Sequence, residues 1–77
     1  MMKELLEHIA RALVDEPEQV EVRLLEGERV DTLELRVAPK DIGKVIGRQG
    51  RIVKAIRAVV SAAAAKEKKR VLVEVIS

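Results

Sequence analysis

Two glycines that flank two polar residues make up the part of this sequence best suited to binding a ligand. Gly47, Arg48, Gln49 and Gly50, the glycine loop, lie between two short apolar patterns in a chain of 77 residues. Glycine adopts positive φ angles without steric cost and lets the backbone approach a ligand closely. Because basic residues surround the loop, we expect its ligand to be a phosphodiester backbone.

Basic residues are concentrated in the second half of the chain. Residues 40–70 contain ten basic and two acidic residues, a net charge of +8, whereas residues 1–39 contain five basic and ten acidic residues. This asymmetry predicts one face that attracts polyanions, although a solvated charged surface is the simpler alternative. The basic residues next to the glycine loop are Lys44, Arg48, Arg51 and Lys54, and a second cluster is formed by Lys66, Lys68, Lys69 and Arg70.

The glycine loop is also expected to begin a helix. A helix N-terminus carries positive partial charge and favours a phosphate group beside it. Gly50 is predicted to leave backbone N–H groups free at this point. Arg48 at the tip can reach a phosphate, and Gln49 can donate to a phosphate or to a base edge.

Other nucleotide-binding classes fit less well. A P-loop needs a Gly-Lys pair followed by Ser or Thr, which Gly43, Gly47 and Gly50 do not provide. A DNA-reading helix-turn-helix needs more polar side chains on its second helix. The chain has no aromatic residue, so base stacking on rings and an RRM-type sheet are excluded. Base contacts must then come from aliphatic packing and hydrogen bonds.

Composition argues against catalysis, metal binding and a membrane. The chain has no Cys and one histidine, His8, predicted to be an exposed helix residue, and its few hydroxyl groups lie far from that histidine in sequence. We therefore expect no catalytic site, no metal site and no cofactor. No uncharged apolar stretch approaches the roughly 20 residues of a membrane span. We expect a cytoplasmic protein with one domain, residues 1–77.

Periodicity predicts six regular elements and the breaks between them. Gly27 lies in a predicted turn, Pro39 ends a strand, and Asp41 is a predicted helix N-cap. Asp15 and Glu16 are expected to be solvated linker charges. The predicted elements are helix 3–14, strand 19–25, strand 30–38, helix 42–46, helix 51–65 and strand 71–76. This order predicts an α+β domain whose three-stranded sheet packs against three helices.

Two predictions concern how the last helix and the last strand are covered. A stripe of Ile52, Ile56, Val59 and Ala63 is expected to line one side of helix 51–65. Its further apolar residues predict either a dimer contact through Val59, Val60 and the alanines or deeper burial beneath the first helix. Leu72 and Ile76 predict that the last strand is covered on both sides.

Residues 42–53 carry a resemblance to a known family. The run Ile-Gly-Lys-Val-Ile-Gly-Arg-Gln-Gly-Arg-Ile-Val resembles the KH signature Val-Ile-Gly-x-x-Gly-x-x-Ile. The order α-β-β-α-α-β resembles the type II KH domain, and nearly the whole chain is similar to the small bacterial single-KH proteins of the KhpA (YlqC) type. In KH domains a Gly-X-X-Gly (GXXG) loop clamps about four backbone nucleotides.

The resemblance implies a single-stranded RNA-binding protein that acts as an RNA chaperone or post-transcriptional regulator. It also implies a homodimer and a larger KH-containing RNA-binding protein as partners. An alternative is a dimerisation or protein-docking module with little RNA affinity, and single-stranded DNA is a further possible ligand. The implied RNA-binding residues are Lys44, Val45, Ile46, Gly47, Arg48, Gln49, Gly50, Arg51, Ile52, Lys54, Lys66, Lys68, Lys69 and Arg70, with Val53 completing an aliphatic groove floor.

Overall fold

The structure, a computed structural model, describes residues 2–76, so Met1 and Ser77 of the expected domain lie outside it. Its elements are α1 (Met2–Leu13), β1 (Glu21–Leu25), β2 (Asp31–Arg36), α2 (Ile42–Ile46), α3 (Arg51–Lys66) and β3 (Val71–Ile76), with 3-10 turns at Pro17–Gln19, Pro39–Asp41 and Arg48–Gly50. The predicted order α-β-β-α-α-β is confirmed. No helix in this part of the chain is long and apolar enough to cross a membrane.

The sheet has the order β1-β2-β3, with β2 in the centre. β1 pairs antiparallel with β2 through the turn around Gly27, whereas β3 pairs parallel to β2. A parallel pair needs a crossover connection. Here that connection consists of α2, the glycine loop and α3, so the loop lies on the crossover and β3 is a sheet edge.

The core lies between the sheet and the three helices, as predicted. Leu33 and Leu35 of β2 and Leu6 and Ala10 of α1 have no exposed surface. Alternation along β2 places its two leucines on the side that faces the helices. The opposite face of the sheet is not covered by a helix and exposes charged residues such as Arg23 and Glu74.

The buried side of α3 differs from the predicted stripe. It consists of Val53, Ile56, Val60 and Ala64. Val59, predicted to be inside, is 48% exposed, whereas Val60 is fully buried in the helix layer, where α1 packs against α3. The rotation follows because α3 must face α1 and the sheet together. Burial beneath the first helix is therefore confirmed for Val60, whereas the dimer contact through Val59 and the exposed alanines stays a prediction.

The last strand also departs from its prediction. Val71 and Val73 face the core, but Leu72 on the other face is 55% exposed. The expectation that β3 is covered on both sides is therefore wrong. The physical reason is that all three helices pack on one face of the sheet, and none remains to cover Leu72.

Candidate nucleic-acid interface

Gly47 ends α2 in a backbone conformation reserved for glycine. Its φ and ψ angles are 78° and 169°, a region that other residues essentially do not enter. A Cβ atom at Gly47 would lie 2.6 Å from Cγ1 of Ile52. The first glycine is thus required twice, once for the backbone angle and once for its close contact with α3.

The rest of the glycine loop turns through the left-handed region. Gln49 has a φ of 58° and Gly50 a φ of 73°. The N–H of Gly50 donates to the carbonyl of Gly47 at 3.1 Å, and the N–H of Arg51 donates to the carbonyl of Arg48. The amide of Arg51, the first residue of α3, is therefore not free as expected, because the tight turn uses it internally.

The side chains on and after the loop point to solvent. Arg48, Arg51 and Lys54 are exposed, and within residues 2–76 no carboxylate lies within ion-pairing distance of them. Nη2 of Arg51 donates to Oε1 of Gln49 at 3.3 Å. Because its oxygen is occupied, the Gln49 amide offers its NH₂ group as a donor, which suits a phosphate oxygen.

The aliphatic residues beneath the loop divide into two kinds. Val45 has no exposed surface and Val53 only 5%. They support α2 and α3 from inside and expose almost no surface where a groove floor was expected. Ile46 and Ile52 are half-buried and remain the aliphatic surface beside the loop.

Asp41 does not cap α2 with its side chain. It is completely buried, and its Oδ2 accepts a hydrogen bond from the N–H of Glu16 at 3.0 Å. Its Oδ1 has no hydrogen-bond partner and lies 3.7 Å from Nζ of Lys44. Asp41, predicted to be an N-cap, therefore connects the segment after α1 to the start of α2.

This segment, the acidic connector (residues 15–18), forms two further contacts with α2 and the turn before it. Nζ of Lys44 lies 3.1 Å from Oδ2 of Asp15, and Nζ of Lys40 lies 3.0 Å from Oε1 of Glu16. Asp15 is 61% exposed, as expected of a solvated linker charge, but it and Glu16 also form ion pairs that the sequence did not predict. Lys44, unlike Arg48, is already ion-paired in the folded chain.

The surroundings of these groups shift their pKa values in opposite directions. Burial raises the pKa of the Asp41 carboxyl, but the backbone N–H groups of Glu16 and Asp15, with Lys44 and Lys40, outweigh burial and hold it below its usual range. Hydrogen bonding to Asp15 raises the pKa of Lys44. Asp41 is thus a carboxylate and Lys44 a cation at neutral pH.

The α3–β3 seam, the surface between α3 and the outer edge of β3, contains residues that the sequence did not single out for binding. Nε of Arg57 donates to the carbonyl of Val73 at 3.1 Å. Ser61, Ala65 and Leu72 line a hollow of about 510 Å³ farther along. The one signal for this surface was Leu72, an apolar residue on the outer face of its strand.

The basic turn (residues 66–70) lies at the far end of the seam from the glycine loop. All of its residues are exposed, and Lys69 and Arg70 join Leu72 in lining the hollow. A second hollow separates Lys68 from the acidic turn of β1 and β2, which contains Glu26 and Glu28. The structure therefore brings the predicted basic residues to two ends of α3.

Comparison with known proteins connects this geometry to a family. The family model described as KhpA/KhpB, KH domain matches residues 3–75. The RNA-binding protein KhpA of Clostridium acetobutylicum is 63% identical over 75 residues, which cover 97% of this chain and 100% of the relative. That of Caldanaerobacter subterraneus subsp. tengcongensis is 60% identical with the same coverage.

Solved structures share the fold at low sequence identity. A crystal structure of Era in complex with MgGDPNP and nucleotides 1506–1542 of 16S ribosomal RNA matches with a TM-score of 0.72 and 20% identity. The match covers 96% of this chain but only 28% of the Era chain, so it shows the fold alone. With its type II element order, its glycine loop and its full-length match, the chain belongs to the KhpA/KhpB KH-domain family.

Proposed function

We propose that this chain binds single-stranded RNA through the glycine loop and the α3–β3 seam. The observation that carries the proposal is the shape of the loop, which holds Arg48 at an exposed tip while Gly47 packs against Ile52. A backbone turned in this way leaves room for a phosphate, and unpaired cations stand on the α3 side of it. The relatives named RNA-binding protein KhpA support the same function.

The proposed contacts divide by chemistry. Cations and loop groups hold phosphates, whereas bases lie on aliphatic side chains, because the chain has no aromatic residue. The phosphate contacts are Gly47, Arg48, Gln49, Gly50, Arg51 and Lys54, with Lys66, Lys68, Lys69 and Arg70 at the far end. Ile46 and Ile52 provide the aliphatic surface near the loop. A site that holds about four nucleotides suits an RNA chaperone or post-transcriptional regulator, which acts by occupying RNA.

The test replaces Arg48 and Gln49, the two exposed residues at the tip of the glycine loop. Arg48→Asp with Gln49→Asp places two carboxylates where a phosphate is proposed to lie. We expect binding to short single-stranded RNA, measured by fluorescence anisotropy, to fall at least about 100-fold, since like charges in contact cost several kcal/mol. Circular dichroism should be unchanged, because both side chains are exposed.

A matched control separates the loop from net charge. His8→Glu with Arg11→Glu changes the formal charge by the same amount on exposed positions of α1, and its RNA affinity should stay within about threefold of the native value. Equal losses in both variants would contradict the clamp. A single-stranded DNA competitor of the same sequence would measure the preference for the RNA sugar.

A second surface favours self-association or docking on a larger KH-containing RNA-binding protein. Val59 is 48% exposed and shares the solvent side of α3 with the exposed residues Ala55, Ala58 and Ala62. This side is apolar and small, which suits close helix packing. Val59→Glu should convert a dimer into a monomer in sedimentation experiments. An unchanged oligomeric state would leave the surface without this role.

A further inference from the structure

The basic residues on the two sides of the glycine loop are not equivalent. On the α2 side, the carboxylates of Asp15, Glu16 and Asp41 outnumber the amines of Lys40 and Lys44, and the contacts between them are 3.0 to 3.7 Å long. This patch carries a net charge of −1. A phosphate that approached it would meet cations whose charge is already compensated.

On the α3 side no such compensation exists in the described part of the chain. Arg48, Arg51 and Lys54 carry a net charge of +3, and none lies within ion-pairing distance of a carboxylate. The electrostatic difference between the two sides therefore amounts to four elementary charges over a few residues. A polyanion at the loop is drawn towards α3 and repelled from α2.

The acidic connector is held in place by more than surface ion pairs. Exposed ion pairs are weak and are readily exchanged for other partners. Here, however, the backbone of Glu16 donates to the buried Asp41 carboxylate at 3.0 Å, and Val14 before it packs against the core. Since its backbone is anchored at both points, the connector cannot swing away from Lys44 without breaking this part-buried hydrogen bond.

We propose that the acidic connector masks Lys44 and Lys40, which means that it neutralises their charges by ion pairing. It thereby confines the RNA backbone to the α3 side of the glycine loop. The inference rests on the proposed RNA binding and adds to it the direction in which the RNA strand leaves the glycine loop. Asp15 is the residue that determines this direction, because it pairs with Lys44, the cation nearest to the loop on the α2 side.

The first test asks whether Lys44 contributes to binding in the native chain. Lys44→Gln and Arg48→Gln each remove one positive charge near the loop. With fluorescein-labelled random-sequence RNA of about 12 nucleotides, several times the length that one KH groove holds, we expect Lys44→Gln to change affinity by less than about twofold. Arg48→Gln should weaken it severalfold. Equal losses would overturn the proposal.

The second test removes the Asp15 carboxylate that pairs with Lys44. Asp15→Asn should raise the affinity for the same RNA by about 1.5- to 5-fold, the range that corresponds to one exposed ion pair. The slope of log affinity against log salt should steepen by about 0.7, since one more phosphate contact forms on a single strand. Adding Lys44→Gln to this variant should abolish both gains, because the freed amine is their source.

The control removes a carboxylate elsewhere. Glu34→Gln makes the same change in net charge on the uncovered face of the sheet, beside Glu74 on the neighbouring strand. It should leave affinity and salt slope unchanged. If Asp15→Asn gains no more than Glu34→Gln, the connector does not mask Lys44 and the inference falls, while a loss of binding in the Arg48 and Gln49 variants would still support the clamp. Native protein that binds no RNA would overturn both.

Discussion

The glycine loop and the basic turn occupy the two ends of α3 and are built differently. The loop depends on backbone shape, with positive φ at Gly47, Gln49 and Gly50. The basic turn follows the end of α3 and has one left-handed residue, Lys68, with a φ of 58°. The N–H groups of Lys68 and Lys69 donate to the carbonyls of Ala65 and Ala64, each at 3.0 Å. Its side chains are all exposed.

Similar charge at the two ends of α3 therefore does not imply a similar role. The loop fixes the backbone that carries Arg48, and Arg51 donates to Gln49 within it, which suits recognition of a phosphate at a defined position. The basic turn presents exposed lysine ammonium groups on flexible four-carbon stems opposite Glu26 and Glu28, so it attracts a polyanion without fixing it. Since α3 has 16 residues, its two ends lie about 24 Å apart. One single-stranded RNA can therefore contact both ends.

The largest effect is expected from the backbone of the loop. Gly47→Ala combines a conformation reserved for glycine with a Cβ contact of 2.6 Å to Ile52, and we expect it to lower the free energy of unfolding by about 2–5 kcal/mol. Gly50→Ala, whose Cβ would meet only Val53 at 4.0 Å, should cost about 1–2 kcal/mol. Urea denaturation measures both, and equal costs would show that packing at Gly47 does not matter.

The second-largest effect, a loss of RNA affinity, is expected when positive charge is removed at either end of α3. Arg48→Gln with Arg51→Gln and Lys68→Gln with Lys69→Gln each remove two positive charges. We expect the loop pair to weaken RNA binding at least about tenfold, because arginines can bind phosphate with two hydrogen bonds. The turn pair should weaken it about two- to fourfold. Equal losses in anisotropy titrations would mean that charge alone determines affinity.

Local patterns in the sequence were sufficient to predict the element order and the loop. Alternation around Leu33 and Leu35 marked the central strand, and two glycines at one spacing marked the turn between α2 and α3. Both signals act within a few residues of the chain, where sequence and structure are tied by backbone geometry. The confirmed order follows from such signals.

Contacts between distant segments could not be predicted in this way. The pairs Asp15–Lys44 and Arg57–Val73 join residues whose separation carries no periodic signal. The predicted rotation of α3 was also wrong, because nearly half of its circumference is apolar and its residues alone do not decide whether Val59 or Val60 faces inward. Packing against α1 decided it, and that choice depends on the whole fold.

Acid should weaken the contact that the buried Asp41 carboxylate makes at the start of α2. The folded-state pKa of Asp41 lies below its ordinary value, so its stabilising effect is complete above the unfolded pKa near 3.9 and is lost as pH falls through the folded value. Asp41→Asn has no such group. The stability difference between native and variant chains should therefore shrink as pH falls below about 4, measured by urea denaturation. A constant difference would show that Asp41 does not titrate with folding.

The smallest effect tests the seam between the two ends. Leu72 is 55% exposed and lies beside Thr32, which pairs on its other side with Leu25, an exposed leucine far from α3. Leu72→Ala should lower RNA affinity about two- to fivefold through lost apolar contact, whereas Leu25→Ala should not. Both substitutions remove the same atoms from the same face of the sheet. A loss confined to Leu72 would show that bases cross the α3–β3 seam, and equal behaviour would restrict the RNA to the glycine loop.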